Sequence, residues 1–365
     1  MNIRLSISRE KILNPILIAE KIVGKKESLP VLSCILIDVG RDVFLRATNL
    51  EAAIEIKIHC DSEGTGRIAV PSGVLSQTIR SIGEEKVTLS VEDGNLVVES
   101  KGNKTIIKSI PHDEFPTLPI TNDKGGIQVS RERLMRGIQS VLYSASPSMI
   151  RPELGSVYIA LGGKKLICVA TDSFRLAEKI VSGGSGESEV LIPLKHALEL
   201  MHVLEKIGGD EITIVIEESQ LTIMAGDIRF ISRVIEGNFP NYKEIIPKTS
   251  STEATILKGD FSEMLKKARI FSGNDQHVGL HVYPERKIFS ATARSQDVGE
   301  MSDSIDAALS GEDLDINFHI GYLADCLPVI ESDSISLRFA GAGKPLVIRG
   351  VSDSSFTYLV MPLNR

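Results

Sequence analysis

The segment Ala47-Thr48-Asn49-Leu50-Glu51 decides the fold, because related segments return twice along the chain. It recurs 123 residues later as Ala170-Thr171-Asp172-Ser173-Phe174, and a fainter copy, Ala291-Thr292-Ala293-Arg294, follows 121 residues after that. Solenoid repeats span about 20 to 50 residues, whereas independent domains span about 100 to 150. The spacing therefore predicts three similar domains in a chain of 365 residues.

Another pair of similar segments has nearly the same spacing. Ser8-Arg9-Glu10-Lys11-Ile12-Leu13 returns 122 residues later as Ser130-Arg131-Glu132-Arg133-Leu134-Met135. Segments rich in turn-forming residues separate the copies, as expected of linkers. The predicted domains are residues 1–122, 127–247 and 253–365.

Each domain divides again into two halves, and each half contains one helix followed by antiparallel strands. Asp93-Gly94, for example, separates two strand patterns and predicts a hairpin turn. Apolar residues at helical spacing predict the helices. The fold class is therefore α+β, and five of the predicted helices are Ser8 to Val23, Arg131 to Tyr143, Leu194 to Lys206, Asp260 to Ile270 and Tyr322 to Ile330. The sixth covers a stripe from Val74 to Ile82.

Bulk composition indicates a globular protein, since 42% of the residues are hydrophobic and 24% are charged. No run approaches the roughly 18 apolar residues of a membrane span, and the first seven residues are typical of a strand rather than of a signal peptide. We expect a cytoplasmic protein. The cysteines are too far apart for a zinc site or a redox pair, and they are predicted to be small buried residues: Cys34, Cys60, Cys168 and Cys326.

Charge is distributed unevenly between the helices and the rest of the chain. The six predicted helical segments carry a net charge of +6, which leaves −13 for the remainder of a chain whose total is −7. If all six helices face one way, that face is electropositive and suits weak, sequence-independent contact with phosphates. The alternative is that helices simply favour lysine and arginine.

The sequence motifs that could indicate a catalytic or metal site are incomplete. Gly341-Ala342-Gly343-Lys344-Pro345 fails as a phosphate-binding loop, because Pro345 stands where a metal-binding Ser or Thr is needed. His277 and His281 could share a strand face and bind a metal ion, but no third ligand is evident. We predict no catalytic residues, no metal and no cofactor. An enzyme built from repeats and a monomeric scaffold remain the alternative functions.

Six segments carry a resemblance to a known family: Leu29-Pro30-Val31-Leu32, Ala47-Thr48-Asn49-Leu50-Glu51, Glu114-Phe115-Pro116-Thr117-Leu118-Pro119, Ala170-Thr171-Asp172-Ser173-Phe174-Arg175-Leu176-Ala177, Glu236-Gly237-Asn238-Phe239-Pro240-Asn241-Tyr242 and Tyr358-Leu359-Val360-Met361-Pro362. In this order, and with the threefold repeat, the chain closely resembles the bacterial DNA sliding clamps, the β subunits of DNA polymerase III. The resemblance implies the DNA clamp fold and a head-to-tail homodimer that closes into a six-domain ring.

In such a ring the helices line the hole and the sheets lie outside. The ring encircles duplex DNA without reading its sequence and tethers the replicative polymerase for processive synthesis, with no enzymatic activity of its own. The partners implied are the DNA polymerase III α subunit, the clamp loader, other polymerases and repair proteins, which share one linear motif. No membrane partner is implied.

The resemblance and the charges together suggest three sets of site residues. We expect DNA contacts from Lys25, Lys26, Arg80, Arg133 and Arg136. The dimer interface is expected to include Ile107, Ile270 and Phe271. The resemblance places a partner-peptide pocket between the second and third domains, with a wall formed by Leu154, Thr171, Phe174, Arg175, Leu176, Pro240, Ile245, Val360, Met361, Pro362 and Leu363.

The chain departs from the family at the rim of this pocket. Phe174 stands where the family commonly has histidine, and Glu244 lies where a basic residue is often found. Leu154-Gly155-Ser156 replaces the usual Leu-Asn-Gly. These differences concern partner preference rather than the fold.

Overall fold

A computed structural model describes residues 3–24, 29–119, 125–184 and 186–363. The described part of the first repeat contains, in chain order, β1 (Arg4–Ser8), α1 (Arg9–Ala19), β2 (Cys34–Val39), β3 (Val43–Thr48), β4 (Ala52–Ile58), β5 (Asp61–Glu63), β6 (Gly66–Pro71), α2 (Ser72–Ser81), β7 (Lys86–Glu92), β8 (Asn95–Ser100) and β9 (Asn103–Ile107). The second contains β10 (Ile127–Ser130), α3 (Arg131–Gln139), β11 (Ser156–Gly162), β12 (Lys165–Thr171), β13 (Arg175–Ser182), β14 (Ser188–Pro193), α4 (Leu194–Lys206), β15 (Glu211–Ile216), β16 (Gln220–Ala225) and β17 (Ile228–Arg233).

The third repeat contains β18 (Thr252–Leu257), α5 (Lys258–Phe271), β19 (His277–Tyr283), β20 (Ile288–Ser295), β21 (Gly299–Ile305), β22 (Ala307–Gly311), β23 (Leu314–His319), α6 (Ile320–Asp325), β24 (Ser334–Phe339), β25 (Leu346–Gly350) and β26 (Phe356–Val360). Short 3₁₀ turns occur at Pro30–Ser33, Leu142–Ser144, Tyr242–Glu244 and Leu327–Val329. The two helices in each repeat confirm the α+β prediction.

The chain forms two compact units, and the boundary between them cuts through the second repeat. The first unit comprises Met1–Glu132, Gly184–Gly186 and Lys195–Val234, and the second comprises Arg133–Gly183, Glu187–Leu194 and Ile235–Arg365. The reason is that two sheets run across the repeat boundaries. In the first unit β17 pairs with β4, and in the second unit β13 pairs with β26.

The sheets within each unit are antiparallel throughout their described strands. The first unit has a five-stranded sheet with the order β5-β1-β7-β8-β9 and an eight-stranded sheet with the order β10-β15-β16-β17-β4-β3-β2-β6. The second unit has a nine-stranded sheet, β14-β11-β12-β13-β26-β25-β24-β18-β22, and a four-stranded sheet, β21-β20-β19-β23. Alternating apolar residues of these strands pack beneath the helices and form the cores, as in β3, where Val43, Leu45 and Ala47 are buried.

A cation at the start of the first helix of each repeat marks the threefold repetition. The Arg9 guanidinium donates to the carbonyl oxygens of Ile79 (3.1 Å) and Arg80 (3.1 Å), at the end of α2. In the second repeat Arg131 donates to the Leu204 oxygen (2.8 Å), and in the third Lys258 Nζ donates to the Ile330 oxygen (2.5 Å). The Ile79, Arg80 and Leu204 carbonyls lie in the last turns of α2 and α4, where carbonyls lack partners within the helix, so a cation stabilises these helix ends. Ile330 follows the 3₁₀ turn after α6 and is contacted in the same way.

Several helices end earlier than the sequence predicted. The first ends at Ala19 rather than Val23, and α3 ends at Gln139 before a 3₁₀ turn. The last predicted helix, Tyr322 to Ile330, is α6 (Ile320–Asp325) followed by a 3₁₀ turn that contains Pro328. Proline lacks the N–H that would continue an α-helix. The fourth helix, Leu194–Lys206, has the predicted bounds.

The turn predicted at Asp93-Gly94 is confirmed. Asp93 and Gly94 have φ values of 47° and 76° and join β7 to β8 as the predicted hairpin. Ala293, in contrast, cannot accept the backbone hydrogen bonds that Asn49 accepts in the first repeat, and the third copy of the motif stays extended within β20. Its faint similarity reflects the strand rather than the turn.

The four cysteines are free thiols. Cys34, Cys168 and Cys326 are buried as predicted, whereas Cys60 is half-buried. Burial raises the pKa of the Cys60 thiol, with a further contribution from Asp61. The prediction of small buried residues is therefore wrong for Cys60 alone.

Candidate functional site

Two distant chain regions meet where β13 pairs with β26. Arg175 lies opposite Val360, and Leu176 lies opposite Leu359. Beyond the end of the ladder, the Met361 N–H donates to the Phe174 carbonyl oxygen at 2.8 Å. This pairing brings the second-repeat and third-repeat parts of the predicted pocket together within one sheet.

The turn that precedes β13 is fixed by its own side chains. Thr171 Oγ1 donates to the Arg175 carbonyl oxygen at 2.7 Å. Asp172 Oδ1 accepts the N–H groups of Phe174 (2.9 Å) and Arg175 (3.0 Å), and Ser173 has a φ of 80°. This local geometry holds the Phe174 side chain outward, where 59% of its surface is exposed.

Thr48 and Asn49 form the same turn in the first repeat. Thr48 Oγ1 donates to the Ala52 carbonyl oxygen at 2.9 Å, Asn49 Oδ1 accepts the Ala52 N–H at 2.7 Å, and Leu50 has a φ of 72°. Threonine followed by Asn or Asp therefore explains the motif physically. The Asn or Asp side chain accepts backbone N–H groups of the turn, and the threonine hydroxyl adds a second hydrogen bond to a carbonyl oxygen that already accepts a backbone N–H.

The side chain of Arg175 is held by the protein itself and is only 12% exposed. Its Nε donates to Asp172 Oδ2 at 3.0 Å, a terminal nitrogen pairs with Asp325, and the guanidinium lies 4.5 Å from the centre of the Tyr322 ring. Arg175 is thus a rigid part of the rim rather than a freely moving cation. Its ion pair with Asp325 joins residues 150 positions apart.

An apolar cluster underlies this turn. Val169, Leu176, Tyr242 and Leu359 are buried together, and Met361 packs against them. Of the predicted pocket residues, Leu176 belongs to this cluster, and Val360 and Thr171 are buried as well. These three residues therefore lie below the protein surface.

The pocket prediction omitted three aromatic residues of this region: Tyr242, which belongs to the cluster, and Tyr158 and Phe239, which pack against it. The ring of Phe239 stacks on that of Tyr158 at 5.0 Å, and Tyr242 donates a hydrogen bond to Glu178 Oε2 at 2.6 Å. Burial, followed by the bond to Glu178, raises the pKa of Tyr242, so its hydroxyl remains a donor. Burial and Glu189 raise the pKa of Tyr158 to about 12. The segment Glu236 to Tyr242, already notable in the sequence, was the available signal for Phe239 and Tyr242.

The remaining pocket residues differ in exposure. Leu154 is buried, and Pro240, Met361, Pro362 and Leu363 are half-buried. Ile245 is about as exposed as Phe174, and its N–H donates to the Tyr242 carbonyl oxygen at 3.0 Å. Exposed apolar side chains on fixed backbone therefore occur at Phe174 and Ile245, as a peptide-binding surface requires.

The residues predicted for the dimer interface differ in exposure within the single chain. Ile107 is buried within its own chain, with 2% of its surface exposed, whereas its neighbour Ile106 is 59% exposed. Successive side chains of a strand point to opposite faces, and the core covers the face of Ile107. In the third repeat, Ile270 is 64% exposed and Phe271 is half-buried at the end of α5.

The residues predicted to contact DNA are only partly described. Lys25 and Lys26 lie outside the described residues. Arg80, Arg133 and Arg136 are exposed on α2 and α3. Arg136 Nε also donates to Glu331 Oε1 at 2.7 Å, so part of its charge is already compensated.

Of the two histidines considered as metal ligands, His281 is hydrogen-bonded through both ring nitrogens, whereas His277 Nε2 is buried with no hydrogen-bond partner among the described residues. His281 Nε2 lies 2.8 Å from Thr292 Oγ1, and its other ring nitrogen lies 2.5 Å from Asp315 Oδ1. Among the described residues, no group of three or more His, Cys, Asp or Glu side chains could hold a metal ion. No helix in the described ranges is long and apolar enough to cross a membrane.

Comparison with known proteins identifies one family along nearly the whole chain. Models of the DNA polymerase III beta subunit match in three consecutive parts: the N-terminal domain at residues 3–119, the central domain at 128–241 and the C-terminal domain at 243–364. A beta sliding clamp of Staphylococcus epidermidis is 26% identical and is covered over 98% of both chains.

Solved structures agree with this result. The DNA polymerase III beta subunit of Thermotoga maritima is 26% identical over 100% of both chains, with a TM-score of 0.95. The C. crescentus beta sliding clamp, bound to PEG in a proposed β-motif tethering region, is 25% identical over 100% of both chains, with a TM-score of 0.92.

Proposed function

This chain belongs to the DNA polymerase III β subunit family, and we propose that it is a DNA sliding clamp that encircles duplex DNA and tethers the replicative polymerase. The match of all three family domains, in order, carries this proposal. The chain is a sliding clamp with the DNA clamp fold. DNA and polymerase are its partners.

The working form proposed is a head-to-tail homodimer closed into a ring. Such a contact joins different surfaces of the two copies and closes only when the rotation between them completes a circle. The edge position of β9 in the first unit, with Ile106 exposed, supports one half of the contact. The exposed Ile270 at the end of α5 supports the other half. The domain ends proposed remain 1–122, 127–247 and 253–365.

Retention on DNA then depends on topology, while the contacts themselves stay weak. A ring needs only salt-sensitive attraction to phosphates and no base recognition, since base recognition would stop it from sliding. Among the described residues, the proposed DNA contacts are Arg80, Arg133 and Arg136. Arg136 also forms an ion pair with Glu331. Lys25 and Lys26 belong to the same proposal.

The surface around Phe174 and Ile245 is proposed to bind a linear motif shared by the polymerase α subunit, the clamp loader, other polymerases and repair proteins. Phe174 is exposed on a backbone that Asp172 and the β13–β26 ladder hold rigid. Ile245 is exposed where its N–H bonds to the Tyr242 carbonyl oxygen. Rigid apolar contacts lose little conformational entropy on binding, which favours a short peptide. One surface for all partners implies that they compete.

The clamp itself is proposed to be non-catalytic and to work on chromosomal DNA in the cytoplasm. The alternative of an enzyme with a metal site at His277 and His281 has less support, because Asp315 and Thr292 already occupy the ring nitrogens of His281.

The decisive experiment loads the protein onto nicked circular DNA with a clamp loader and then linearises the DNA. A topologically linked ring stays with the circle during gel filtration and is lost after cutting. Protein that leaves circular and linear DNA at the same rate would contradict the clamp mechanism. Blocking both ends of the linear DNA with bound protein should restore retention.

A further inference from the structure

A cavity of about 290 Å³ lies on the outer face of the eight-stranded sheet in the first unit. Arg46, Arg67, Arg229 and Glu55 line it, and the chain segment 115–118 borders it. Lys11 and Pro15 of α1 lie with Ile56 around a second cavity, and because Ile56 follows Glu55 on β4, its side chain points to the other face of this sheet. The cavity therefore lies on the sheet face that α1 does not cover.

The arginines form a linear ion-pair network with two carboxylates. Arg67 Nε lies 3.2 Å from Asp38 Oδ2, and Asp38 also pairs with Arg46. Arg46 Nε donates to Glu55 Oε2 at 2.6 Å, and an Arg229 terminal nitrogen lies 3.1 Å from Glu55 Oε1. Three cations face two carboxylates, which leaves one positive charge at the cavity.

Arg229 supplies an unused donor in this network. Its Nε atom is buried and has no hydrogen-bond partner among the described residues. Buried polar groups are nearly always satisfied by protein, water or ligand, so the Arg229 guanidinium is under-satisfied in this network. A guanidinium has five N–H donors, and because the contact of Arg229 with Glu55 uses one terminal nitrogen, its remaining N–H groups can turn toward a carboxylate in the cavity.

The internal repeat explains why the space is open here. Tyr158 and Glu178 follow Leu36 and Glu55 by 122 and 123 residues. In the second unit the Tyr158 ring fills its site by stacking on Phe239 at 5.0 Å. Leu36 is smaller than tyrosine and leaves room beneath the corresponding segment around Phe115.

We propose that this cavity binds a carboxylate, namely an acidic side chain presented by a partner protein. Arginine binds carboxylates with directed hydrogen bonds, and the excess charge favours an anion. A cavity of about 290 Å³ admits one side chain, and Leu36 and Phe115 offer an apolar wall for its methylene groups. This site goes beyond the proposed clamp function, and its existence does not depend on it.

A carboxylate from protein is favoured over a phosphate from DNA by position. Arg80, the proposed DNA contact described in the same unit, lies on α2, whereas Glu55 of the cavity points to the sheet face opposite to Ile56, which lies beside α1 residues Lys11 and Pro15. Outside the predicted helices the chain carries a net charge of −13, which repels acidic partners in general. A local positive cavity therefore selects where an acidic residue can dock.

The test uses protein labelled with ¹⁵N-arginine and the peptide acetyl-Gly-Glu-Gly-amide, with acetyl-Gly-Gln-Gly-amide as the uncharged match. The Arg229 Nε–H resonance is assigned by its loss in Arg229→Lys. We expect the Glu peptide to shift this resonance saturably and the Gln peptide to leave it unchanged. Inorganic phosphate is titrated separately.

Matched variants identify the site. Arg229→Gln should weaken Glu-peptide binding at least about tenfold, a loss of about 1.4 kcal/mol. Arg233→Gln removes the same charge from the same strand at an exposed position and should change affinity less than about twofold. Arg67→Gln changes an exposed side chain and should leave the fold intact. It should also weaken binding of the Glu peptide.

Three results would overturn the proposal. Equal weakening by Arg229→Gln and Arg233→Gln would indicate general charge attraction. Tighter binding of phosphate than of the Glu peptide would reassign the cavity to phosphate. A resonance unmoved by the Glu peptide would make the arginine network purely structural.

Discussion

At the scale of single residues, Asp172 illustrates how one side chain can build a surface without belonging to it. Its carboxylate accepts two backbone N–H groups and also pairs with Arg175. The backbone at Phe174 is thereby fixed with the side chain pointing outward. A peptide that binds there would order little additional backbone. The sequence indicated the Thr-Asp pair, but the partner Asp325 was not visible because it lies 150 residues away.

The exposure of Phe174 leads to a test of the proposed peptide surface. Phe174→Ala should lower the affinity for a Gln-x-x-Leu-Phe-type peptide at least about tenfold, since a few apolar anchors dominate such contacts. The thermal midpoint should hardly change, because the ring is 59% exposed. Fluorescence anisotropy measures the affinity.

Leu50→Ala is the matched control, because Leu50 is an exposed apolar residue in the equivalent turn of the first repeat. It should leave the peptide affinity unchanged. If both variants bind the peptide as tightly as the parent protein, the Phe174 surface is not the partner site.

His196 provides a pH-dependent property of the fold. Burial lowers the pKa of His196 below its ordinary value, and its Nδ1 lies 2.9 Å from Ser232 Oγ. The unfolded chain takes up a proton near pH 6.5 while the folded chain does not, so the unfolded state binds more protons and stability falls as the pH drops through this range. His196→Gln should reduce the loss of stability between about pH 7.5 and 5.5.

Denaturant midpoints at the two pH values measure this effect. Ser232→Ala removes the hydrogen-bond partner but keeps the imidazole buried, so it should lower stability while preserving the pH dependence. Burial also lowers the pKa of His202 and His319, and some dependence should remain. An unchanged slope in His196→Gln would show that His196 is not a main contributor.

At the scale of helices and strands, the sequence predicted the existence of elements better than their ends. Periodicity placed α4 correctly, and Asp93-Gly94 fixed a hairpin, because both signals are local. The end of α6 depends on a 3₁₀ turn around Pro328, where hydrogen bonding changes gradually. For adjacent Ile106 and Ile107, the sequence does not state which face the core covers.

Arg131 and Arg133 lie on the same helix and have different roles: Arg131 is structural, and Arg133 is a proposed DNA contact. Arg131 donates to the Leu204 and Gly209 carbonyl oxygens, each at 2.8 Å, whereas Arg133 is exposed. Arg131→Ala should lower the free energy of unfolding by about 1.5 to 3 kcal/mol, the usual worth of hydrogen bonds from a charged group. Urea denaturation measures this loss.

Arg133→Ala is the comparison for stability and should shift the unfolding midpoint less than Arg131→Ala does, because the Arg133 side chain is exposed. It should instead reduce the slope of log affinity for DNA against log salt by about 0.9 if it contacts one phosphate. Equal destabilisation by the two substitutions would contradict the division of roles.

At the scale of the whole molecule, the continuous sheets explain why the repeats do not behave as separate bodies. The β4–β17 pairing joins the first and second repeats within one unit, and the β13–β26 pairing joins the second and third within the other. Sequence repetition identified the domains, but hydrogen bonding between strands of different repeats depends on long-range pairing. The proposed peptide surface is a product of one such junction.

The proposed ring leads to a prediction about assembly. Ile106→Asp and Phe271→Asp should each give a folded monomer, because an unpaired charge in an apolar contact costs several kcal/mol. Ile106 is 59% exposed in the protomer, so its replacement should spare the fold, whereas Ile107→Asp should unfold the first unit because Ile107 is buried. Sedimentation velocity at low micromolar concentration separates dimer from monomer, and circular dichroism reports folding. Leu257→Asp is the matched control, since Leu257 is an exposed apolar residue at the other end of α5 and should leave the dimer intact. Dimers that persist in both Ile106→Asp and Phe271→Asp would place the ring contact elsewhere on the chain.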